Sequence, residues 1–242
     1  MNIFEELEGI MAILEKDLRA YYFKPPNISW GILFPVVLAL SFTLRNPEGL
    51  TDLAPGLIAM AALFGTTSME AIVITFEKRV GALERLQLAP LNSASIIVGK
   101  LLGGTVFGLI ISSVMTGITI VFLGAEISNS FLFIVVLLLT NLVHSSLGAL
   151  VAVSVKEVFE AQTLSNYFRF PMIFLCGVFL PLDEMPFILG IIGRFLPLTY
   201  SVEGLRGLML EKGIILLDVI ILIGFSLILP YLSIIQFRRN QE

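Results

Sequence analysis

Glu77 to Asn92 reads EKRVGALERLQLAPLN, the most charged internal segment of a very apolar chain. Glu77, Lys78, Arg79, Glu84 and Arg85 stand between two long hydrophobic runs, so a chain threaded through a bilayer has to leave it here. Val80, Leu83, Leu86 and Gln87 recur at three- and four-residue spacings, which suits a short helix along a surface, and Pro90 ends it. The fold class that follows is an all-α integral membrane protein, with this element in a loop and offered to something that docks on it.

The totals agree. Of 242 residues, 57% are hydrophobic and only 14% charged, with mean hydropathy +0.95, which suits a polytopic membrane protein rather than a globular domain. The net charge of −4 says less than where the charges lie. The single cysteine, Cys176, excludes an internal disulfide and a cysteine-based metal cluster. Glu5, Glu6, Glu8, Glu15 and Asp17 near the start argue against a cleavable signal peptide.

Working outward from the loop, Leu53 to Phe76 precedes it as one span interrupted only by Glu70, and the uncharged run Pro25 to Leu44 is the span before that. Ahead of both, Ile3, Phe4, Leu7, Ile10, Met11, Leu14, Leu18, Tyr21 and Tyr22 form an apolar stripe at helical spacing. Residues 1–24 are therefore expected as a helix in the membrane interface. Beyond the loop, Leu101 to Ala125 and Ile127 to Val155 are the third and fourth runs, and Ala161 to Leu180 the fifth. Pro181, Asp183, Glu184, Pro186, Arg194 and Pro197 then break a stretch too short to cross. It reads as a re-entrant or interfacial segment over 181–197, with a helix at Phe187 to Phe195. Gly213 to Phe237 is the sixth span, stopped by Arg238 and Arg239.

Basic residues orient the chain. Of 15 lysines and arginines, all but Arg45, Arg194, Arg206 and Lys212 fall in the amino end, the 77–100 and 156–169 segments and the carboxyl end. Both termini and the charged loop are expected on the cytoplasmic side of the cell membrane.

A G-x-x-x-x-G-K-[ST] phosphate loop is absent, since Gly99-Lys100 is followed by leucine, so the chain has no recognisable means of binding ATP. Two ionisable groups sit inside runs. Glu70 is costly there, and either pairs with a base, snorkels to the interface, or binds a proton or cation. His144 has no acidic or cysteine neighbour in sequence and is either a packing residue or a ligand or proton carrier. Gly99, Gly103, Gly104 and Gly108 make two overlapping small-xxx-small pairs that favour close helix packing, within the chain or against a second copy.

Two motifs carry a resemblance. Glu77-Lys78-Arg79-Val80-Gly81-Ala82-Leu83-Glu84-Arg85-Leu86, ending at Ala89-Pro90, resembles the E-x-x-x-G-T-L-E-x-L…P motif of ABC-2 type transporter permeases. Phe170-Pro171-Met172-Ile173-Phe174-Leu175-Cys176-Gly177-Val178-Phe179-Leu180-Pro181-Leu182, then Pro197-Leu198-Thr199-Tyr200 and Arg206, is similar to the same family's fifth-span and outer-loop pattern. Leu14-Glu15-Lys16-Asp17-Leu18-Arg19 fits its usual opening, the PLTY form resembles the drug-resistance (daunorubicin-type) branch, and Ala82 departs from the usual threonine. The resemblance implies a single permease domain over 1–242 with a cytoplasmic coupling helix at 77–92. A separate ATPase subunit would bind ATP and magnesium, leaving this chain without a cofactor, and a second permease chain, identical or paralogous, would complete the pathway. The residues it points to for ATPase coupling are Glu77, Gly81, Leu83, Glu84, Leu86 and Pro90. For an outer lid they are Pro171, Gly177, Pro181, Pro197, Thr199, Tyr200 and Arg206.

The leading reading is the membrane subunit of an ATP-driven exporter of an amphiphilic or lipid-like substrate, surrounded by membrane lipid and without a nucleic-acid partner. Its rival is an ion-driven secondary transporter or channel using Glu70 and His144. A membrane enzyme ranks third, because no acid, histidine or serine cluster converges.

Overall fold

The computed structural model describes residues 3–43, 50–210 and 215–240. Its elements are α1 (Ile3–Asp17), continued by a π-helical turn Leu18–Tyr22, α2 (Pro25–Thr43), α3 (Leu50–Arg79), α4 (Ala82–Gln87), α5 (Ser93–Leu123), α6 (Ser130–Ser154), α7 (Val158–Leu175), a 3₁₀ turn Leu182–Glu184, α8 (Phe187–Arg194), α9 (Pro197–Leu210) and α10 (Ile215–Arg239). Among the described residues there is no strand. Arg45, Lys212 and Gly213, used above for orientation and the last span, lie outside the described residues.

Helix α3 is the axis. Residues 54–71 are small or apolar on nearly every side, the pattern of a helix enclosed by others. Helices α2, α5, α6, α7 and α9 all pack on it. Over that stretch Phe64 alone is not buried. The glycine pairs of α5 serve packing within the chain, on two faces. A β-carbon on Gly99 would come 3.0 Å from Ile13 of α1, whereas Gly104 faces Glu70 and Ser145, and Gly108 faces Thr66 and Asn141. Hydroxyls in these helices bond their own preceding turn, as in Thr66 to Ala62 O, Thr105 to Leu101 O and Thr116 to Ser112 O. They therefore cost little in an apolar surround.

Helix ends follow their local chemistry. Asn92 caps α5 by accepting from Ser95 N at 2.7 Å, which starts that helix eight residues ahead of the hydrophobic run. Gly124 closes it with φ 64°. Asn129 caps α6, and Glu157 with Glu160 forms a capping box on α7.

Among the described residues four helices, α3, α5, α6 and α10, are long and apolar enough to cross a bilayer, and α8 with α9, bent by 93°, makes a fifth if the pair is one span. Helices α2 and α7 occupy the places expected for the first and fifth spans, with 19 and 18 residues. The bundle has two distinct ends. At one, Lys78 donates to Val155 O and Asn240 to Val153 O, beside α1 and α4. At the other, Thr51 donates to Leu123 O and Ser128 to Leu208 O.

Two elements differ from the sequence reading. The segment expected as one helix over 77–92 is divided: Glu77 to Arg79 are the last turn of α3, and α4 is only six residues long. Helix α9 was not anticipated at all. Pro197 opens it at the first helical position, and Leu198, Val202, Leu205, Leu208 and Met209 face the core at helical spacing.

Candidate functional site

The site is built at the α1–α4 end. Gly81 turns the chain out of α3 with φ 69°, a left-handed conformation that costs other residues about 1–2 kcal/mol. A β-carbon there would meet only Glu84 Oε2, at 3.8 Å, so backbone conformation rather than close approach is what asks for glycine. Helix α4 then lies down on Leu83, which is 3% exposed and packed with Ile74, Ala152, Val153 and Phe237. Leu86 is half-buried against the same cluster. Leu83 thus anchors α4 to its own chain, which corrects its expected place at a partner's surface. The outward face carries Val80, Glu84, Arg85, Pro90 and Leu88, the last 86% exposed. Between α4 and the end of α10 runs an open cleft lined by Lys78, Leu83, Glu84, Gln87, Phe237 and Asn240 among others.

Glu77 needs a further correction. It was placed in the docking segment, but α3 continues past it and turns it inward with Val73 and Ile74, so that it is fully buried. There it accepts from Lys100 and from Lys16, both in short contacts. Lys100, fully buried too, also bonds Asp17 Oδ1 and Oδ2 at 3.1 and 2.8 Å, and Lys16 reaches Asp17 Oδ1 at 3.0 Å. Two acids and two bases from α1, α3 and α5 balance in one cluster. Burial pushes the Asp17 carboxyl up, against the pull of Lys100 and Lys16. Burial also works against the charge on Lys16, but its hydrogen bond to Glu77 and the nearby carboxylates leave the ammonium above its ordinary value. The sequence reading did not single out Lys100 or Asp17 as partners. The signal was a lone lysine inside a glycine-rich apolar run, which has to find an acid.

Nearer the middle of the bundle, Glu70 is fully buried, and its Oε2 accepts a short hydrogen bond from the Tyr22 hydroxyl while Oε1 has no partner. It therefore neither snorkels nor forms an ion pair. His144 is buried with Nδ1 2.7 Å from Thr140 O and Nε2 unpartnered. Among the described residues no ion pair joins Glu70 to His144, and no group of acids, histidine and cysteine is placed to hold a metal. The residue of α6 whose side chain flanks Glu70 is Ser145, across Gly104.

At the opposite end, the residues expected to brace a lid are brought together. Thr199 donates to Gly193 O at 2.6 Å, Tyr200 to Arg194 O at 2.6 Å, and Arg206 to Gly177 O at 2.5 Å, where Gly177 has φ 79°. Helix α9 thereby holds both α8 and the end of α7. Pro197 is buried at the head of α9, Pro171 lies within α7, and Pro181 precedes the 3₁₀ turn.

This order of elements, with a short helix folded onto the bundle after α3 and a braced α8–α9 unit before the last helix, goes with a sequence match to the ABC-2 type transporter family over residues 8–210. The chain belongs to the ABC-2 type transporter family. The match takes in α1 through α9 and stops short of α10. The ABC-2 chain is 28% identical over 188 residues to a putative transport permease, ycf38, of Cyanophora paradoxa, covering 73% of this chain and 63% of the relative. To Nodulation protein J of Bradyrhizobium diazoefficiens it is 28% identical over 229 residues, 86% of this chain and 82% of the relative. To the inner membrane transport permease YadH of Escherichia coli it is 26% identical over 154 residues, 64% of this chain and 60% of the relative. The aligned part of the ABC-2 chain thus spans under two thirds of the length of two of these three relatives.

Proposed function

We propose that this chain is the permease subunit of an ATP-binding-cassette exporter, moving an amphiphilic substrate out of the cell with ATP hydrolysed on a separate subunit. The observation that carries the reading is α4: its inner face is seated on the bundle through Leu83, while its Glu84 and Arg85, and Val80 and Leu88 flanking it, are left outward on and around a helix too short to be stable alone. A surface of that kind, on an ABC-2 chain without a phosphate loop, suits a docking element for the subunit that binds ATP and magnesium. Helices α2, α3, α5, α6, α7 and α10 make six spans in this reading, and α8 with α9 folds back from the outer face. Both termini and α4 lie in the cytoplasm, the membrane is the plasma membrane, and two permease chains enclose the pathway. Within the family we keep the daunorubicin-type branch, on the PLTY motif.

The test is co-purification of the chain with a co-expressed ABC ATPase subunit, followed by substrate-stimulated ATP hydrolysis in reconstituted vesicles. Transport by the purified chain with an ion gradient and no ATPase would overturn the proposal. Orientation is read by replacing Cys176 with serine and placing single cysteines at Ser93, Asn129 or Asn240. An impermeant thiol reagent outside intact cells should label the Asn129 variant only.

A further inference from the structure

Helices α3 and α7 run antiparallel in a regular register. Phe64 lies against Arg169, Ala71 shares a cluster with Ala161, and Gly56 lies against Val178 just past the end of α7. Ser68 stands one helical turn on from Phe64 in α3, and Ser165 one turn before Arg169 in α7. The Arg169 guanidinium lies 4.4 Å from the Phe64 ring centroid and is 4% exposed. Its described contacts are that ring and a short hydrogen bond to Asn166, its Nε has no partner, and no described carboxylate forms an ion pair with it. Ser68 Oγ and Ser165 Oγ, also buried, are unpartnered as well. Phe34 of α2 meets the Phe64 ring with centroids 4.4 Å apart and planes tilted by 34°. Phe64, the one residue of its stretch of α3 that is not buried, thus touches both an aromatic ring on α2 and a cation on α7.

A buried guanidinium without an acid is expensive in an apolar medium, and the three unsatisfied polar groups gathered here raise the cost. An anion lowers it. Among the described residues there is none to give at this depth. Glu70 and Glu77 are buried in their own contacts, Asp218 is buried in α10, and Glu203 faces Arg206. A second copy would bring the same committed acids. Resting on the permease reading above, we propose that the face of the bundle at Phe64 and Arg169 binds an anionic amphiphile, its phosphate or carboxylate head on Arg169, Ser68 and Ser165 and its chain along Phe64 and Phe34. This makes Arg169 the residue that selects acidic over neutral cargo.

The experiment uses the full chain alone in nanodiscs of neutral lipid, titrated with dodecyl phosphate, dodecanol and inorganic phosphate. Dodecyl phosphate should bind at least tenfold more tightly than dodecanol, and inorganic phosphate should not compete at equal concentration. Arg169→Gln should abolish that preference, Arg169→Lys should keep most of it, and Phe64→Leu should weaken both amphiphiles alike. Equal binding of phosphate and alcohol by the unaltered chain would overturn the proposal, and needs no variant to fold. So would competition by inorganic phosphate, which assigns the site to a free anion. Phe168, beside Arg169, is 40% exposed; if Phe168→Cys in two copies oxidises completely to a disulfide while dodecyl phosphate fails to bind, a second copy covers this face instead and the proposal falls. Binding is measured without an ATPase, so failure of the exporter reading leaves this result standing, and the reverse holds.

Discussion

Lys100 shows what a single charge does in this chain. It is the hub of the buried cluster, touching both Asp17 and Glu77. Lys100→Met leaves two carboxylates with only Lys16 between them, and breaking such a pair typically costs about 3–5 kcal/mol. Thermal unfolding in detergent should show a clear drop in Tm for Lys100→Met, largely restored in Lys100→Met with Glu77→Gln, where Asp17 and Lys16 balance. An unchanged Tm in the single variant would remove the cluster from the account of stability. Gly81 is the second decisive residue. Because its left-handed φ rather than its space is at stake, Gly81→Asn should be tolerated and Gly81→Val should lose about 1–2 kcal/mol or more. Equal stability of the two variants would point to space instead.

At the scale of elements, α4 has an inner and an outer face with separable jobs. Leu83→Ala removes a buried anchor, for which about 2–5 kcal/mol of stability is the usual loss. Leu88→Asp and Glu84→Arg touch nothing in the described core and should leave Tm unaltered, while lowering the amount of co-purified ATPase by tens-fold, as loss of an apolar hot spot of about 2 kcal/mol implies. Full ATPase recovery with both outer variants would remove α4 from the docking surface. Helices α8 and α9 are a second unit. Leu182, Thr199 and Tyr200 hold α8 and Arg206 holds the end of α7, while Phe187 and Ile188 of α8 and Phe195 just after it are left largely exposed. Tyr200→Phe and Arg206→Gln remove one brace each, and should reduce transport in vesicles without reducing ATPase binding. Normal transport by both would end the lid hypothesis.

For the whole molecule, the first helix is part of the bundle and not merely laid beside it. Ile13 enters against Gly99, Asp17 enters the ion cluster, Tyr22 reaches Glu70, and Glu6 bonds Asn92 and Ser95. These contacts tie α1 both to the 77–92 segment and to the centre of α3. Gly99→Leu should lever α1 away. Hydrogen–deuterium exchange over residues 10–22 is then expected to rise at least tenfold while α6 keeps its protection. Unchanged exchange would show that α1 is held by the charges alone.

Much of this architecture was legible in the sequence. Long apolar runs, charged interruptions and helix-spaced stripes are local properties, and a bilayer-sized helix needs nothing else to declare itself, so α3, α6 and α10 were found to within a turn, and α5 but for its first eight residues. The broken stretch pointed to an outer segment over 181–197, and the resemblance to ABC-2 permeases named Thr199, Tyr200 and Arg206 beside it. Which way a side chain points was not legible. Glu77 and Leu83 stand in a charged, exposed-looking segment, yet the phase of α3 and the seat offered by Phe237, far away in sequence, turn both inward. Lys100, Asp17 and Tyr22 could be paired with Glu77 and Glu70 only by folding α1 onto α5, and Arg169 could be seen to lack an acid only once every neighbour was in place. Hydropathy is a sum over neighbours in sequence, whereas charge compensation depends on neighbours in space.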